Sequence, residues 1–315
     1  MAELPQTIGV LIPTYKRSEE LLRCLAALEQ QTHPADDVIL VVREDDLETK
    51  AAVNGCATKS LPIRIVGVTT PGLVAARNAG IDACKTDVLA MIDDDTSPHT
   101  HWLARVLEDF RNDPALGGLG GRDRCFDGEA FDERQMPVVG KLQWFGRVIG
   151  NHHLGFGDLR EVDVLKGANM SYRAQALENT RCDRRLKGSG AQPSEDISLC
   201  VAVKRNGWKL AYDPQAVVDH YPGRRAEVRH YGGVMPIKDP TAFQNFAYNE
   251  VLGIWGALSP LRRVFFFVWS VLIGTGVCPG FVQAIRFTPH LGLQSWRRFF
   301  IAQQGKLHAF RDLAI

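Results

Sequence analysis

The sequence predicts an α/β fold centred on a mostly parallel sheet with helices on both faces, and two observations carry that expectation. Short runs rich in Val, Ile and Leu alternate with longer segments of helical periodicity, four times in succession between residues 7 and 122. The runs are apolar almost throughout instead of at every second residue, which is how strands read when helices cover both sides of their sheet. Residues 8–12 form the first such strand, and residues 18–31 the helix after it, with Leu21, Leu22, Leu25 and Leu28 at helical spacing and Ser18 placed to cap its start. Residues 38–42 precede a helical stretch at 47–56, residues 63–68 precede 73–84, and residues 88–92 precede 102–110. In sheets of this kind ligands gather at the carboxyl ends of the strands, so the residues that follow each strand are the ones to read for chemistry.

From residue 117 to about 231 the pattern is irregular and richer in Gly and polar residues, with strands expected at 161–165, 208–212 and 216–219 and a helix at 196–206. This region is expected to extend the same sheet and build the second half of a cleft. The C-terminal part differs in kind. Residues 264–285 contain no charge and are flanked by Arg262, Arg263 and Arg286. Their length suffices to cross a hydrocarbon core, while Gly274, Gly276, Pro279 and Gly280 suit a re-entrant or interfacial helix pair equally well. Beyond them Trp296, Phe299, Phe300, Leu307 and Phe310 recur at helical spacing among Arg297, Arg298, Lys306 and Arg311, the pattern of a basic helix that lies on anionic lipid. Two regions are therefore expected, a sheet domain over 1–232 and a helical membrane-associating region over 233–315.

Charge agrees with that division. The 315 residues carry 37 Lys+Arg against 36 Asp+Glu, a net charge of +1 that argues against binding nucleic acid through bulk electrostatics. The balance is uneven, because residues 259–315 hold seven basic side chains against Asp312 alone. An apolar content of 45% excludes a disordered chain. Seven cysteines, odd in number and never paired as Cys-x-x-Cys, point to reduced thiols and to neither zinc nor redox chemistry. The first residues lack the basic and apolar regions of a signal peptide, which places the N-terminal part in the cytoplasm.

The residues after the strands are specific. Asp93-Asp94-Asp95 follows the fourth strand, and three successive carboxylates at a strand end call for a cation, with Mg²⁺ or Mn²⁺ the hard ions shared with substrate phosphates; away from such an edge they would be a solvated acidic turn. Pro13-Thr14-Tyr15-Lys16-Arg17 follows the first strand, where a dinucleotide fold or a P-loop would place glycines, and a Pro followed by an aromatic ring suits packing against a nucleobase. Glu44-Asp45-Asp46 follows the second strand and either accepts hydrogen bonds from a nucleoside or opens the next helix through its dipole. Arg77, in the helix after the third strand, is a fixed cation within reach of a pyrimidine or a phosphate.

Taken in order, Ile12-Pro13-Thr14-Tyr15, Glu44–Asp46, Gly72 with Ala76-Arg77-Asn78-Ala79-Gly80, Ile92–Asp95 with Pro98 and Trp102-Leu103, Gly167–Arg173, and Glu195-Asp196 resemble the nucleotide-sugar glycosyltransferases of the GT-A fold, family two. The resemblance covers about residues 7–222. It implies that Pro13, Tyr15, Glu44, Asp46 and Arg77 surround the nucleoside, that Asp93 touches the ribose, and that Asp94 and Glu195 belong to the nucleotide-sugar site. It further implies that Asp95 ligates a Mn²⁺ or Mg²⁺ bridging the diphosphate, with His220 completing the metal shell. Asp196 is implied as the general base and Gly167, Ala168 and Asn169 as the lining of the sugar and acceptor side. Arg224, Arg225 and Arg229 would close over the diphosphate as a lid or form a solvated or lipid-facing patch.

The expected protein is a metal-dependent inverting glycosyltransferase at the cytoplasmic face of the membrane, peripheral or single-span. It would take a nucleotide-sugar donor, UDP-linked by preference, and a lipid-linked or saccharide acceptor. Arg43 stands where an acidic residue is common, which leaves guanosine and thymidine open, and the absence of a Gln-x-x-Arg-Trp signature favours single-sugar transfer over polymer extrusion. The competing readings are a nucleotidyltransferase, for which the glycine-rich loop is missing, and a non-catalytic nucleotide-sugar-binding protein on the membrane.

Overall fold

A computed structural model describes residues 4–55, 60–222, 237 and 239–313. The first half contains β1 (Ile8–Thr14), α1 (Ser18–Glu29), β2 (Asp37–Arg43), α2 (Leu47–Asn54), β3 (Ile63–Val68), α3 (Leu73–Ala83), β4 (Val88–Ile92), β5 (Thr96–Pro98) and α4 (Trp102–Asn112). The second half adds β6 (Leu116–Cys125), β7 (Lys141–Leu142), β8 (Val148–Ile149), β9 (Arg160–Glu161), β10 (Asn169–Arg173), α5 (Ala174–Leu177), α6 (Glu195–Arg205) and β11 (Lys209–His220). The main sheet runs in the order β3-β2-β1-β4-β10-β6-β11-β5, with β9 paired to β11, nine strands among the described residues. The first four are parallel, whereas β10 runs antiparallel to both β4 and β6. The chain leaves β1 toward β2 on one side and returns to β4 on the other, and that change of direction opens a crevice at the carboxyl edge.

Successive residues of each central strand serve opposite layers, as the two-residue period of a strand requires. Ile8, Val10 and Ile12 pack with Leu21 and Leu25 of α1 and with Leu103 and Phe110 of α4. Leu11, Leu89 and Met91 face the other layer, with Val74 and Ile81 of α3 and Leu199 and Val203 of α6. The four expected strand-helix units are thus present, and the irregular region does extend the same sheet. Three local expectations change. The strand expected at 161–165 is only β9, because Val162, Val164 and Leu165 leave the ladder to fill the core. The two strands expected at 208–212 and 216–219 are one, β11, with a register shift between Asp213 and Val217. Ser18 is the first residue of α1 rather than its cap, a place taken by Arg17, and no side chain caps that end.

The C-terminal part holds α7 (Pro240–Trp255), α8 (Pro260–Leu272), α9 (Phe281–Leu291) and α10 (Leu293–Leu313). Asp239 caps α7, accepting from the Thr241 and Ala242 amides at 2.8 and 3.1 Å, and Tyr248, Val251 and Ile254 join the core beneath the sheet. The boundary expected at 232/233 lies outside the described residues.

The uncharged run 264–285 does not form one helix. α8 ends at Leu272, Gly274 adopts φ +66°, and a bridge between Gly274 and Pro279 turns the chain into α9. No helix among the described residues is long and apolar enough to cross a membrane. The expected basic helix 294–310 is also turned around. In α10 it is Arg298 and Lys306 that are buried, and Leu293, Phe300 and Leu307 that are exposed. Lys306 Nζ donates to the Ser270 carbonyl at 2.6 Å and the Cys278 carbonyl at 3.2 Å, and Arg298 Nη2 reaches the Gly276 and Val277 carbonyls, both at 3.2 Å. Backbone carbonyls freed where α8 stops need donors, and these two cations supply them.

Candidate active site

A cleft of about 580 Å³ opens at the carboxyl edge, walled by Pro13 near the end of β1 with Tyr15 and Arg17 after it, Arg43 at the end of β2, Gly72 before α3 and Ala76 within it, Asp93 and Asp94 after β4, and residues 189–191. Tyr15 is partly exposed there, with the Arg43 guanidinium 4.4 Å from its ring centre and the Asp45 carboxylate bound to that guanidinium at 2.8 Å. Of the acidic residues after β2, Glu44 lines an adjoining groove with Gly67 and Thr69. Asp46 is buried and caps α2, accepting from the Thr49 amide, the Thr49 hydroxyl and the Lys16 amide. The Lys16 bond fixes a left-handed residue, φ +53°, in the β1–α1 loop. Asp46 therefore shapes the cleft wall from behind, while Arg43 stands at its surface.

The carboxylates after β4 are buried at 9, 3 and 0% exposure for Asp93, Asp94 and Asp95. Arg17 spans two of them: its Nη1 lies 2.7 Å from Asp94 Oδ1 and its Nη2 lies 2.9 Å from Asp95 Oδ2. The Thr14 hydroxyl donates to Asp94 at 2.9 Å. Burial pushes the Asp94 carboxyl up to about 7 against the pull of Arg17, and Asp95 and Asp93 add to the rise. On the far side of Asp95, His220 places Nε2 3.3 Å from Asp95 Oδ1 and Nδ1 3.4 Å from Asp123 Oδ2, and Lys166 pairs with that same Asp123. Burial opposes the charge on His220, but the two carboxylates outweigh it and hold its pKa well above the usual range.

Asp93, Asp95 and His220 each offer a ligand atom, all within 4.8 Å of one another, and Asp123, Cys125 and His220 form a second such group. In the second group Asp123 is already neutralised by the Lys166 ammonium. The first, two carboxylates and an imidazole buried beside the cleft, has a donor set that suits a divalent ion such as Mn²⁺ or Mg²⁺.

Behind the cleft, Arg77 is 1% exposed and bonds Glu195 Oε1 through Nη1, and through Nη2 the Gly167 carbonyl at 2.9 Å and Asp93 Oδ1 at 3.3 Å. A Cβ on Gly167 would stand 2.6 Å from that guanidinium, so the close approach requires glycine there. The Gly167 amide donates in turn to Asp196 Oδ2 at 3.1 Å, and the Ile197 amide to Asp196 Oδ1 at 2.8 Å. A continuous chain of contacts thus joins Asp93 to Asp196 through Arg77 and Gly167. Ser194, the residue before α6, is left-handed at φ +69°, and its hydroxyl makes no capping bond. Burial lifts Glu195 to about 8, with Arg77 opposing.

Of the residues singled out from the sequence, Pro13, Tyr15, Asp93 and Asp94 meet in the cleft, and Asp95 and His220 adjoin it. Arg77 and Glu195 are a buried strut behind it. Ala168 is buried, and Asn169 is held by its side chain, accepting from Trp102 Nε1 at 3.0 Å and donating to the Ala216 carbonyl at 2.8 Å. Arg224, Arg225 and Arg229 lie outside the described residues. The sequence reading assigned no role to Arg17, Asp123 or Lys166. Arg17 had a local signal, a basic residue closing the Pro-Thr-Tyr segment, whereas Asp123 and Lys166 meet only through folding.

The fold agrees with comparisons to known proteins. The profile described as "Glycosyltransferase like family 2" matches residues 5–231. The glycosyltransferase AglE of Haloferax volcanii is 35% identical over 102 residues, 31% of this chain and 33% of that protein. This chain thus aligns with a third of that relative's length. The glucosyl-dolichyl phosphate glucuronosyltransferase of the same organism is 23% identical over 220 residues, 68% of each chain. Crystal structures of residues 1–349 of S. aureus TarS share the GT-A-like fold, and the one bound to UDP-GlcNAc superposes with a TM-score of 0.60 at 14% identity, covering 96% of this chain and 81% of that one. With the family profile spanning well over half of its residues, the chain belongs to the glycosyltransferase-like family 2.

Proposed function

We propose that this chain is a metal-assisted, inverting glycosyltransferase that moves a sugar from a UDP-sugar to a hydroxyl of a lipid-linked or saccharide acceptor at the cytoplasmic face of a membrane. The observation that carries it is the placing of Asp93 and Asp94 on one cleft with Asp95 buried beside them, His220 behind Asp95, and Asp196 linked to Asp93 through Arg77 and Gly167. The TarS structures with UDP and UDP-GlcNAc support the choice of uridine, and the relative named for glucosyl-dolichyl phosphate supports a lipid-linked acceptor.

In this reading Tyr15 and Arg43 pack the base, Asp93 accepts from a ribose hydroxyl, and Asp95 and His220 hold Mn²⁺ or Mg²⁺. The metal, when bound, would offset the negative charge that develops on the departing diphosphate. Asp196 accepts the acceptor's hydroxyl proton as the new bond forms at the anomeric carbon, while the bond to the diphosphate oxygen breaks on the opposite face. The Gly167 and Ile197 amides hold both Asp196 oxygens in place. One displacement inverts the anomeric configuration.

The membrane part of the proposal rests on an apolar face. Leu261, Val264, Phe265, Val268 and Leu272 form an exposed stripe on α8, joined by Phe281, Val282 and Ile285 of α9. Trp144, 56% exposed in the β7–β8 turn, packs against Phe265 at 4.8 Å between ring centres and continues that face from the tail to the sheet domain. Such a face is larger than single exposed apolar residues explain and suits an interfacial seat on lipid. A thermal-shift series with UDP-sugars, with and without Mn²⁺, tests the donor assignment. Stabilisation by a UDP-sugar that needs the metal is the expected result, and none with any nucleotide sugar would overturn it.

A further inference from the structure

Asp95 faces two ways. Its Oδ1 points to His220 and the candidate metal position, while its Oδ2 and Asp94 Oδ1 grip the Arg17 guanidinium at 2.9 and 2.7 Å. A divalent ion on Asp95 and a guanidinium on the same carboxylate would stand within a few ångströms of one another, in a pocket where burial leaves little water to screen them. The two cations therefore compete for Asp95.

The backbone beneath Arg17 is fixed. Lys16 is left-handed, its amide is held by the buried Asp46, and Asp46 is held by Thr49. Arg17 itself begins α1 as its cap residue. Freedom to move thus belongs to the side chain, which is 20% exposed and forms part of the cleft wall beside Pro13 and Asp94. A guanidinium that leaves Asp95 swings into the cleft, where a diphosphate offers the paired anionic oxygens it binds best.

We infer that Arg17 is a resident counter-cation: it holds Asp94 and Asp95 while the cleft is empty, opposes binding of a metal ion alone, and passes to the donor diphosphate when metal and nucleotide enter together. The consequence is ordered loading, in which the metal is taken up efficiently only with its nucleotide. This inference rests on the metal reading given above.

The test is binding by the full chain, read by Mn²⁺ electron paramagnetic resonance and by calorimetry with UDP. In Arg17→Gln, Mn²⁺ alone should bind at least tenfold more tightly than in the parent, and UDP in saturating Mn²⁺ at least tenfold more weakly. Arg17→Lys, which keeps the charge without the two-pronged grip, should fall between them on both measures. Unchanged or weaker binding of Mn²⁺ to a folded Arg17→Gln overturns the role of Arg17. If Arg17→Gln fails to fold, Arg17→Lys decides alone: parent-like Mn²⁺ affinity overturns the inference. Failure of every form to bind Mn²⁺, with or without UDP, sinks the metal assignment instead, so the two failures are distinguishable.

Discussion

Replacing Arg77 with Met asks whether the buried guanidinium is a strut or a ligand for nucleotide. The side chain contacts Glu195, Asp93 and the Gly167 carbonyl, and a thioether satisfies none of them. Removing one partner of a buried ion pair costs about 3–5 kcal/mol, and an orphaned carbonyl adds about 1 kcal/mol, a large part of a total stability of about 5–15 kcal/mol. The cost falls chiefly on Glu195, which stays buried and loses the cation that opposes the rise of its pKa. Arg77→Met combined with Glu195→Gln should accordingly cost less than the two single changes added together, with a coupling of about 1–3 kcal/mol. Urea unfolding followed by tryptophan fluorescence measures all four forms of the cycle. Arg77→Met within about 1 kcal/mol of the parent, or strictly additive changes, would refute the strut. A stable Arg77→Met with lost UDP affinity would return Arg77 to the nucleoside site that the sequence suggested for it.

Four further outcomes are expected. Asp196→Asn should lower kcat about 10²–10⁴-fold while leaving UDP-sugar affinity in Mn²⁺ unchanged, and full activity would remove it as the base. Asp109 is lifted to about 7 by burial and by the neighbouring Asp213, so its contribution to stability is complete below the ordinary carboxylate pKa and is lost as pH rises through about 7; Asp109→Asn should flatten Tm between pH 4 and 8 and gain a few degrees at pH 8, and superimposable profiles would count against this. Gly305→Ala places a methyl against the Gln244 carbonyl, the Ala247 Cβ and the Tyr248 amide where α10 crosses α7, so it should destabilise by about 1–3 kcal/mol despite the better helix propensity of Ala, and a gain in urea midpoint would contradict the packing. Phe265→Glu with Val268→Glu should abolish sedimentation with anionic vesicles while preserving UDP binding; sedimentation that persists would remove α8 from the proposed membrane face.

The central sheet was legible because β1, β2 and β4 are buried on both faces and read as nearly unbroken apolar runs. β6 was not, since four of its residues are glycines, Gly117, Gly118, Gly120 and Gly121, and the space a side chain would fill there is taken by Trp208, Leu210, Leu165 and the Ala216 carbonyl. The acidic run after β4 announced itself, yet the direction of a side chain leaves no trace in one dimension. Asp46 and Arg77 have the right chemistry for a nucleoside, and their side chains form a helix cap and a buried bridge. Residues 264–285 left a single span and an interrupted helix pair both open; the chain forms the pair, broken by backbone geometry at Gly274 and held by two basic residues far along the chain.

Those two residues also change how the tail would behave on lipid. Of its seven basic side chains, Arg298 and Lys306 are buried, Arg262 donates to the Gln143 and Trp144 carbonyls, and Arg263 covers the Trp255 ring, leaving Arg286, Arg297 and Arg311 exposed. Attraction through three charges fades in concentrated salt, whereas seating of Leu, Val and Phe side chains does not. A protein held this way resists a salt wash and comes away with mild detergent, the fractionation of an embedded protein from a chain that contains no spanning helix among its described residues.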